Sequence, residues 1–211
     1  MVPLLESIRT GILVSPTVCI LDKYIVQKPP GDKMDYFKNE LNTTSAMIKT
    51  KVFRRTVFMY SSLFYLNRIS SQLGMNPYNR IALTSLFGIP YGISRDILIS
   101  DTYSYTKAEE KPVVNPKSTL VFVIRDIISF AGCFIFPELV PKAHYVICSL
   151  VVCPVITQLL ITPLHLLGLD LHERKDRKLS ERIGIVKKYY INSVITRTFR
   201  TIATYGISNI L

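Results

Sequence analysis

The 211-residue chain has no paired cysteines, almost no histidine and no glycine-rich phosphate loop, and each absence closes off a class of function. Its four cysteines, Cys19, Cys133, Cys148 and Cys153, all fall inside apolar stretches and none forms a CxxC pair. They read as small core residues in a reducing or lipid setting, not as a disulfide or zinc framework. The three histidines, His144, His165 and His172, have no HExxH or Cys partners, and neither GxGxxG nor a Walker sequence occurs. The serines lack a nucleophile context. No catalytic residue, metal or cofactor is therefore expected, and the chain does not read as an enzyme. Acidic residues are also scarce, 15 against 26 Lys and Arg, which leaves a formal net charge of +11. That balance permits a nucleic-acid partner. No zinc spacing, aromatic RNA-binding motif or recognition helix accompanies it, so none is expected. The opening MVPLLESIRTGILV shows no basic n-region and no cleavage site, so a removed signal peptide is not expected.

What is present is apolar sequence and clustered charge. The chain is 48% hydrophobic with a mean hydropathy of +0.27. Its charges gather at 22–55, 95–117 and 170–188, with apolar segments between them. That alternation describes a multi-span membrane protein rather than a soluble domain. Spans are expected at 4–26, 52–69, 78–99, 119–140, 143–169 and 189–211. The third is weak, because Gly88, Pro90 and Gly92 cluster in it. Residues 33–50 read equally as a short interfacial helix or a solvated loop. Residues 171–188 are expected to contain a short amphipathic helix.

One corner recurs. The segment QLLITPLHLLGLDLHER carries Thr162-Pro163 ahead of Asp170; Ser15-Pro16 precedes Asp22 and Ile89-Pro90 precedes Asp96 in the same way. The prolines stand 74 and 73 residues apart, and the acids 74 and 74. A fixed period points to repeated architecture. The expected fold class is an all-α membrane protein of six transmembrane helices. They form three pseudo-repeated two-helix hairpins, 1–73, 74–142 and 143–211, within one domain over 1–211. Short connections at 70–77 and 140–143 put the long loops on one common side. The long-loop segments hold nineteen Lys and Arg and the opposite side four, the positive-inside pattern.

Arginine also recurs, at Arg55, Arg125 and Arg197, spaced 70 and 72 residues, with Arg200 on the turn after Arg197. A charge inside a span costs on the order of 3 kcal/mol on insertion scales. One reading makes these arginines line a central cavity and meet an anionic group. The other has Arg55 snorkel to an interface, Arg125 pair with Asp126 and Arg197 cap a packing contact. Asp22, Asp96 and Asp170, with Lys23, Arg95 and Arg174 nearby, either form a charged ring at the long-loop face or mark the water boundary. His165 is either a proton-linked group or a hydrogen-bonded packing residue.

Three two-helix repeats, a late proline in each odd helix at Pro16, Pro90 and Pro163, and arginines in the even helices resemble the mitochondrial carrier family. That family's motif is Pro-x-[Asp/Glu]-x-x-[Lys/Arg], and SPTVCILDKYIVQ, IPYGISRDILIS and TPLHLLGLDLHER lie where it would lie. The resemblance implies kinks at the prolines and a gate at the motif charges. Here the acidic positions hold Val18, Gly92 and His165 and the basic ones Leu21, Arg95 and Gly168, so only Arg95 matches. The ends YLNR, FPELVPK and SNIL give no copy of the family's second gate. The resemblance implies a mitochondrial membrane, inner or outer; the expected partners are the bilayer, anionic lipid or an anionic solute to suit the basic balance, and other membrane proteins. Loss of both gate patterns favours a membrane scaffold or an organisation or insertion factor. The buried arginines and the net charge favour the alternative, a transporter of an anionic metabolite or nucleotide.

Overall fold

A computed structural model describes residues 2–27, 33–103, 115–173 and 176–206. Among these residues the fold is entirely helical. Helix α1 (Val2–Gln27) is followed by two short helices, α2 (Lys33–Asn42) and α3 (Thr44–Ile48). Then come α4 (Lys51–Gln72), α5 (Pro77–Tyr103) and α6 (Pro116–Phe130), the last continuing through a π turn (Ala131–Ile135) and a 3-10 turn (Phe136–Leu139). A 3-10 turn (Lys142–His144), the single turn α7 (Tyr145–Ile147) and a second π turn (Cys148–Val152) lead into α8 (Cys153–Glu173). Helix α9 (Leu179–Thr201) ends in a third π turn (Ile202–Gly206). So 33–50 is helical over 33–42 and 44–48, ahead of the Thr50 cap of α4. The expected span at 189–211 starts ten residues earlier, at Leu179, and the separate helix expected within 171–188 is absorbed into α8 and α9.

Local chemistry explains these boundaries. Thr50 caps α4 by accepting from the Phe53 amide at 3.1 Å. Asn115 caps α6 by accepting from the Lys117 amide at 3.0 Å, with Pro116 in the first turn. Two π turns stand just before Pro137 and Pro154. A proline has no N–H for the carbonyl four residues back, and a wider turn is one way to re-satisfy that backbone. Pro16, Pro90 and Pro163 all lie inside continuous helix. The carbonyl that Pro163 leaves without its amide is that of Leu159. The Tyr190 hydroxyl of α9 donates to it at 3.0 Å.

The long helices close a ring. α1 packs on α4, α4 on α5, α5 on α6, α6 on α8 and α8 on α9, and α9 returns to α1. The glycines that weaken α5 as a sequence let it approach its neighbours. A Cβ on Gly88 would stand 2.6 Å from Leu63 Cδ2 and 2.9 Å from Phe130 Cζ.

The ring buries many polar and charged side chains among its apolar core and turns further apolar ones outward. On α1, Leu4, Leu5, Ile8, Ile12 and Leu13 are exposed while Ser7, Thr10, Ser15 and Asp22 are buried. On α8, Ile156, Leu159 and Leu160 face out while Thr157, Gln158, Thr162 and His165 face in. A water-soluble fold buries its leucines and exposes its charges. The inverted arrangement belongs in lipid, where ionisable side chains turn toward the interior. Among the described residues, three stretches are long and apolar enough to cross a bilayer: Pro3–Gln27, Pro116–Leu139 and Lys142–Glu173. The chain is a multi-pass membrane protein. The expected six carrier-type spans are not shown, because the charges of α4, α5 and α9 keep those helices below the same apolarity.

Candidate functional site

The buried charges meet at the centre of the ring. Asp22 of α1 accepts from Arg95 Nη2 of α5 and, at 2.7 Å, from Arg200 Nη1 of α9. Arg95 also donates through Nε to Thr56 Oγ1 of α4 at 3.0 Å and through Nη1 to Asp96 Oδ1 at 3.0 Å. The other oxygen of Asp96 accepts from Arg125 Nη1 of α6. Arg125 donates to Asp126 Oδ1 through Nε at 2.8 Å and Nη2 at 2.6 Å, and its Nη1 lies 2.7 Å from His165 Nδ1 of α8. A guanidinium only donates, so Nδ1 accepts and the imidazole proton sits on Nε2. One connected network thus ties together all six ring helices. Breaking such a network by removing one partner is costly, since the charge left behind is buried and unmatched.

Arg95, Asp96 and Arg125 also line a cavity of about 430 Å³, counted with its open mouth, as do Arg197 and Arg200. Asp22 lies within two turns of the end of α1, and Arg95 about two turns from the end of α5, on the long-loop side. Leu63, Gly88 and Phe130 line the cavity farther from that end. The network therefore sits at the long-loop end of the cavity. The opposite end of the ring has ties of its own: Arg80 bonds Glu138 at 2.5 Å and Asn67 at 2.8 Å, and Arg68 bonds Glu6 at 3.1 Å.

Two lining groups are incompletely partnered. Arg197 is 2% exposed; its Nε donates to Gln158 Oε1 at 2.9 Å, and Gln158 Nε2 in turn donates to Thr201 Oγ1 at 2.7 Å. Its Nη1 has no hydrogen-bond partner among the described residues. Asp126 Oδ2 is likewise buried without one. Native proteins leave few such groups, and each calls for an explanation.

The expected site residues divide accordingly. Arg125, Arg197 and Arg200 line the cavity. Arg55 does not: it is exposed on α4 and donates to the Ser94 carbonyl at 3.3 Å. Asp22, Arg95 and Asp96 come together, and His165 joins them. Asp170 stands apart at the α8–α9 corner, where Arg177 and Arg182 hold it, Arg182 also donating to its carbonyl at 3.0 Å. Lys23 turns away to Glu40 of α2 at 2.6 Å. Arg174 lies outside the described residues. Pro16, Pro90 and Pro163 sit in helix and not on the cavity wall. Gln158 and Thr56 gave no repeat signal in the sequence. Their one trace is a polar side chain on the buried face of an otherwise apolar helix.

A multi-pass helical ring around a buried, charged cavity defines a membrane transport protein. The chain belongs to the family described as probable citrulline exporter, whose model matches residues 7–211. It is not a mitochondrial carrier; the proline–acid spacing resembles that family without membership. The scaffold reading, which rested on gates lost from a carrier, falls with it. An exporter family is a family of transporters, not of enzymes. The mitochondrial assignment loses the support it drew from the same resemblance. No curated protein and no solved structure matches the chain.

Proposed function

We propose that this chain moves an amino acid across a membrane and that the solute occupies the cavity inside the helix ring. The family description names citrulline, whose side chain is an uncharged urea group. The solute is then a zwitterion of no net charge rather than the anionic metabolite or nucleotide that the arginines alone would favour. In this reading α4, α5 and α9 also cross the bilayer: Arg95, Asp96, Arg197 and Arg200 turn into the ring, while the exposed Lys51, Arg54 and Arg55 of α4 and Lys187 and Lys188 of α9 lie toward the long-loop ends of their helices. The Asp22–Arg95–Asp96–Arg125 network closes the long-loop end, and the Arg80 and Arg68 ties close the other. Export requires the two ends to open in turn.

The observation that carries the proposal is the charged cavity at the centre of the ring, in a chain of an exporter family. The enclosed part of the cavity is about 40 Å³, so the ring must widen from this conformation to admit the solute. The test is efflux from liposomes loaded with labelled citrulline and containing the purified protein. Efflux above that of protein-free liposomes is expected. Equal rates with and without protein would overturn the proposal.

A further inference from the structure

The two unpartnered groups of the cavity are of opposite sign and opposite hydrogen-bonding sense. Arg197 Nη1 is a donor on a cation, and Asp126 Oδ2 is an acceptor on an anion. Each side chain is anchored through its other atoms. Gln158 holds Arg197 by Nε, and Arg125 holds Asp126 by Oδ1 from two nitrogens. Anchoring leaves the free atom of each fixed in place. A buried charged group without a partner is expensive, so a fixed pair of them is tolerated where a ligand completes both.

The side chain missing at Gly92 is what lets α5 pass this close to Asp126 Oδ2, an atom with almost no accessible surface in this conformation. A Cβ on Gly92 of α5 would stand 3.1 Å from that oxygen, tighter than an ordinary contact. Gly92 is itself on the cavity wall.

The charges around the cavity do not balance. Arg95, Arg125, Arg197 and Arg200 face three carboxylates, those of Asp22, Asp96 and Asp126. Asp22 is consumed by Arg95 and Arg200, and Asp96 by Arg95 and Arg125. The uncompensated positive charge therefore resides at Arg197, which calls for an anionic group there. The same excess disfavours a second cation on the solute.

We infer that Arg197 and Asp126 form a clamp for the two backbone charges of an α-amino acid, Arg197 Nη1 taking the carboxylate and Asp126 Oδ2 the ammonium, with Gly92 keeping a side chain off that oxygen. This deepens the transport reading and rests on it. Specificity then lies first in the α-carbon substituents and only second in the side chain. The clamp favours an uncharged side chain, because a cationic one would add to the arginine excess.

The test competes unlabelled analogues against labelled citrulline in the same liposomes, with the unaltered protein. Nα-acetylcitrulline lacks the ammonium and citrulline amide lacks the carboxylate. Each is expected to compete at least tenfold more weakly than citrulline, and lysine more weakly than glutamine. Asp126→Asn should narrow the gap between citrulline and its Nα-acetyl form. Gly92→Ala, a change that favours helix, should weaken citrulline without changing the weak competition by the acetyl form. Citrulline efflux that Nα-acetylcitrulline and citrulline amide inhibit as well as citrulline does would overturn the clamp and leave the transport reading standing. No citrulline movement at all would remove both.

Discussion

At the scale of single residues, the site turns on how guanidinium groups are matched. Asp22 alone answers two of them, Arg95 and Arg200, from helices far apart in the chain. Asp22→Asn keeps the shape and removes the charge, leaving both cations short of a partner. Breaking a buried pair in this way costs about 3–5 kcal/mol. The expected outcome is a clear fall in melting temperature of the detergent-solubilised protein. Because the loss comes from unmatched charge, Asp22→Asn with Arg200→Met should melt higher than Asp22→Asn alone. A double variant no more stable than the single one would sink this account of the pairing. The proline–acid spacing brought Asp22 and Asp96 to notice, and the arginine spacing Arg125 and Arg197. What spacing cannot show is direction. Arg55 shares the arginine period yet points out toward Ser94, and Asp170 shares the acid period yet serves the α8–α9 corner. About half a turn of rotation separates a lining residue from a surface one, and helical rotation is set by packing.

At the scale of elements, the helices were legible because apolar runs separated by charge clusters leave little else to build. Their ends were less so. The charged segment 171–188 reads as loop with a helix in it, but Arg182 bonds both the carboxylate and the carbonyl of Asp170 and lets α9 begin at Leu179. That is a tertiary contact with no local sequence signal. Arg182→Ala should loosen this corner, and faster amide exchange over 179–185 than in the unaltered protein is the expected readout. The proline in α8 permits a sharper test. Tyr190 satisfies the Leu159 carbonyl that Pro163 leaves without an amide. Tyr190→Phe should cost about 1 kcal/mol, the usual worth of one such bond. In a Pro163→Ala background the backbone amide returns and the hydroxyl becomes redundant. The cost of Tyr190→Phe should then fall to near zero in thermal melts; an equal cost in both backgrounds would show that the hydroxyl serves something other than the proline.

At the scale of the whole molecule, composition points to the right solvent and the repeat spacing to the wrong relatives. Hydropathy and clustered charge identify a protein whose outside is apolar, and the exposed leucines of α1 and α8 agree. A repeat of roughly 70 residues resembles carriers because any ring of three hairpins repeats its corners at some such period. The period constrains the architecture more than the ancestry. The remaining question at this scale is how many helices cross. Among the described residues three stretches are apolar enough by themselves, yet the ring closes only when α4, α5 and α9 are counted. A helix whose charges face the ring interior needs less apolar surface to sit in lipid, because its neighbours supply the rest. Six crossings put α3 and the start of α9 on one side, and the α4–α5 and α6–α7 turns on the other. Single cysteines placed at the exposed Ser45 and Ser180, and separately at Asn76 and Lys142, in a background lacking the four native cysteines, distinguish the cases. An impermeant maleimide added to sealed vesicles of one orientation should modify one pair and spare the other. If α4 dipped in and returned, Ser45 and Asn76 would react from the same side, and six crossings would be excluded. The nineteen-to-four excess of Lys and Arg on the Ser45 side predicts which face that is: the electrically negative one, from which a positive-inside protein is inserted.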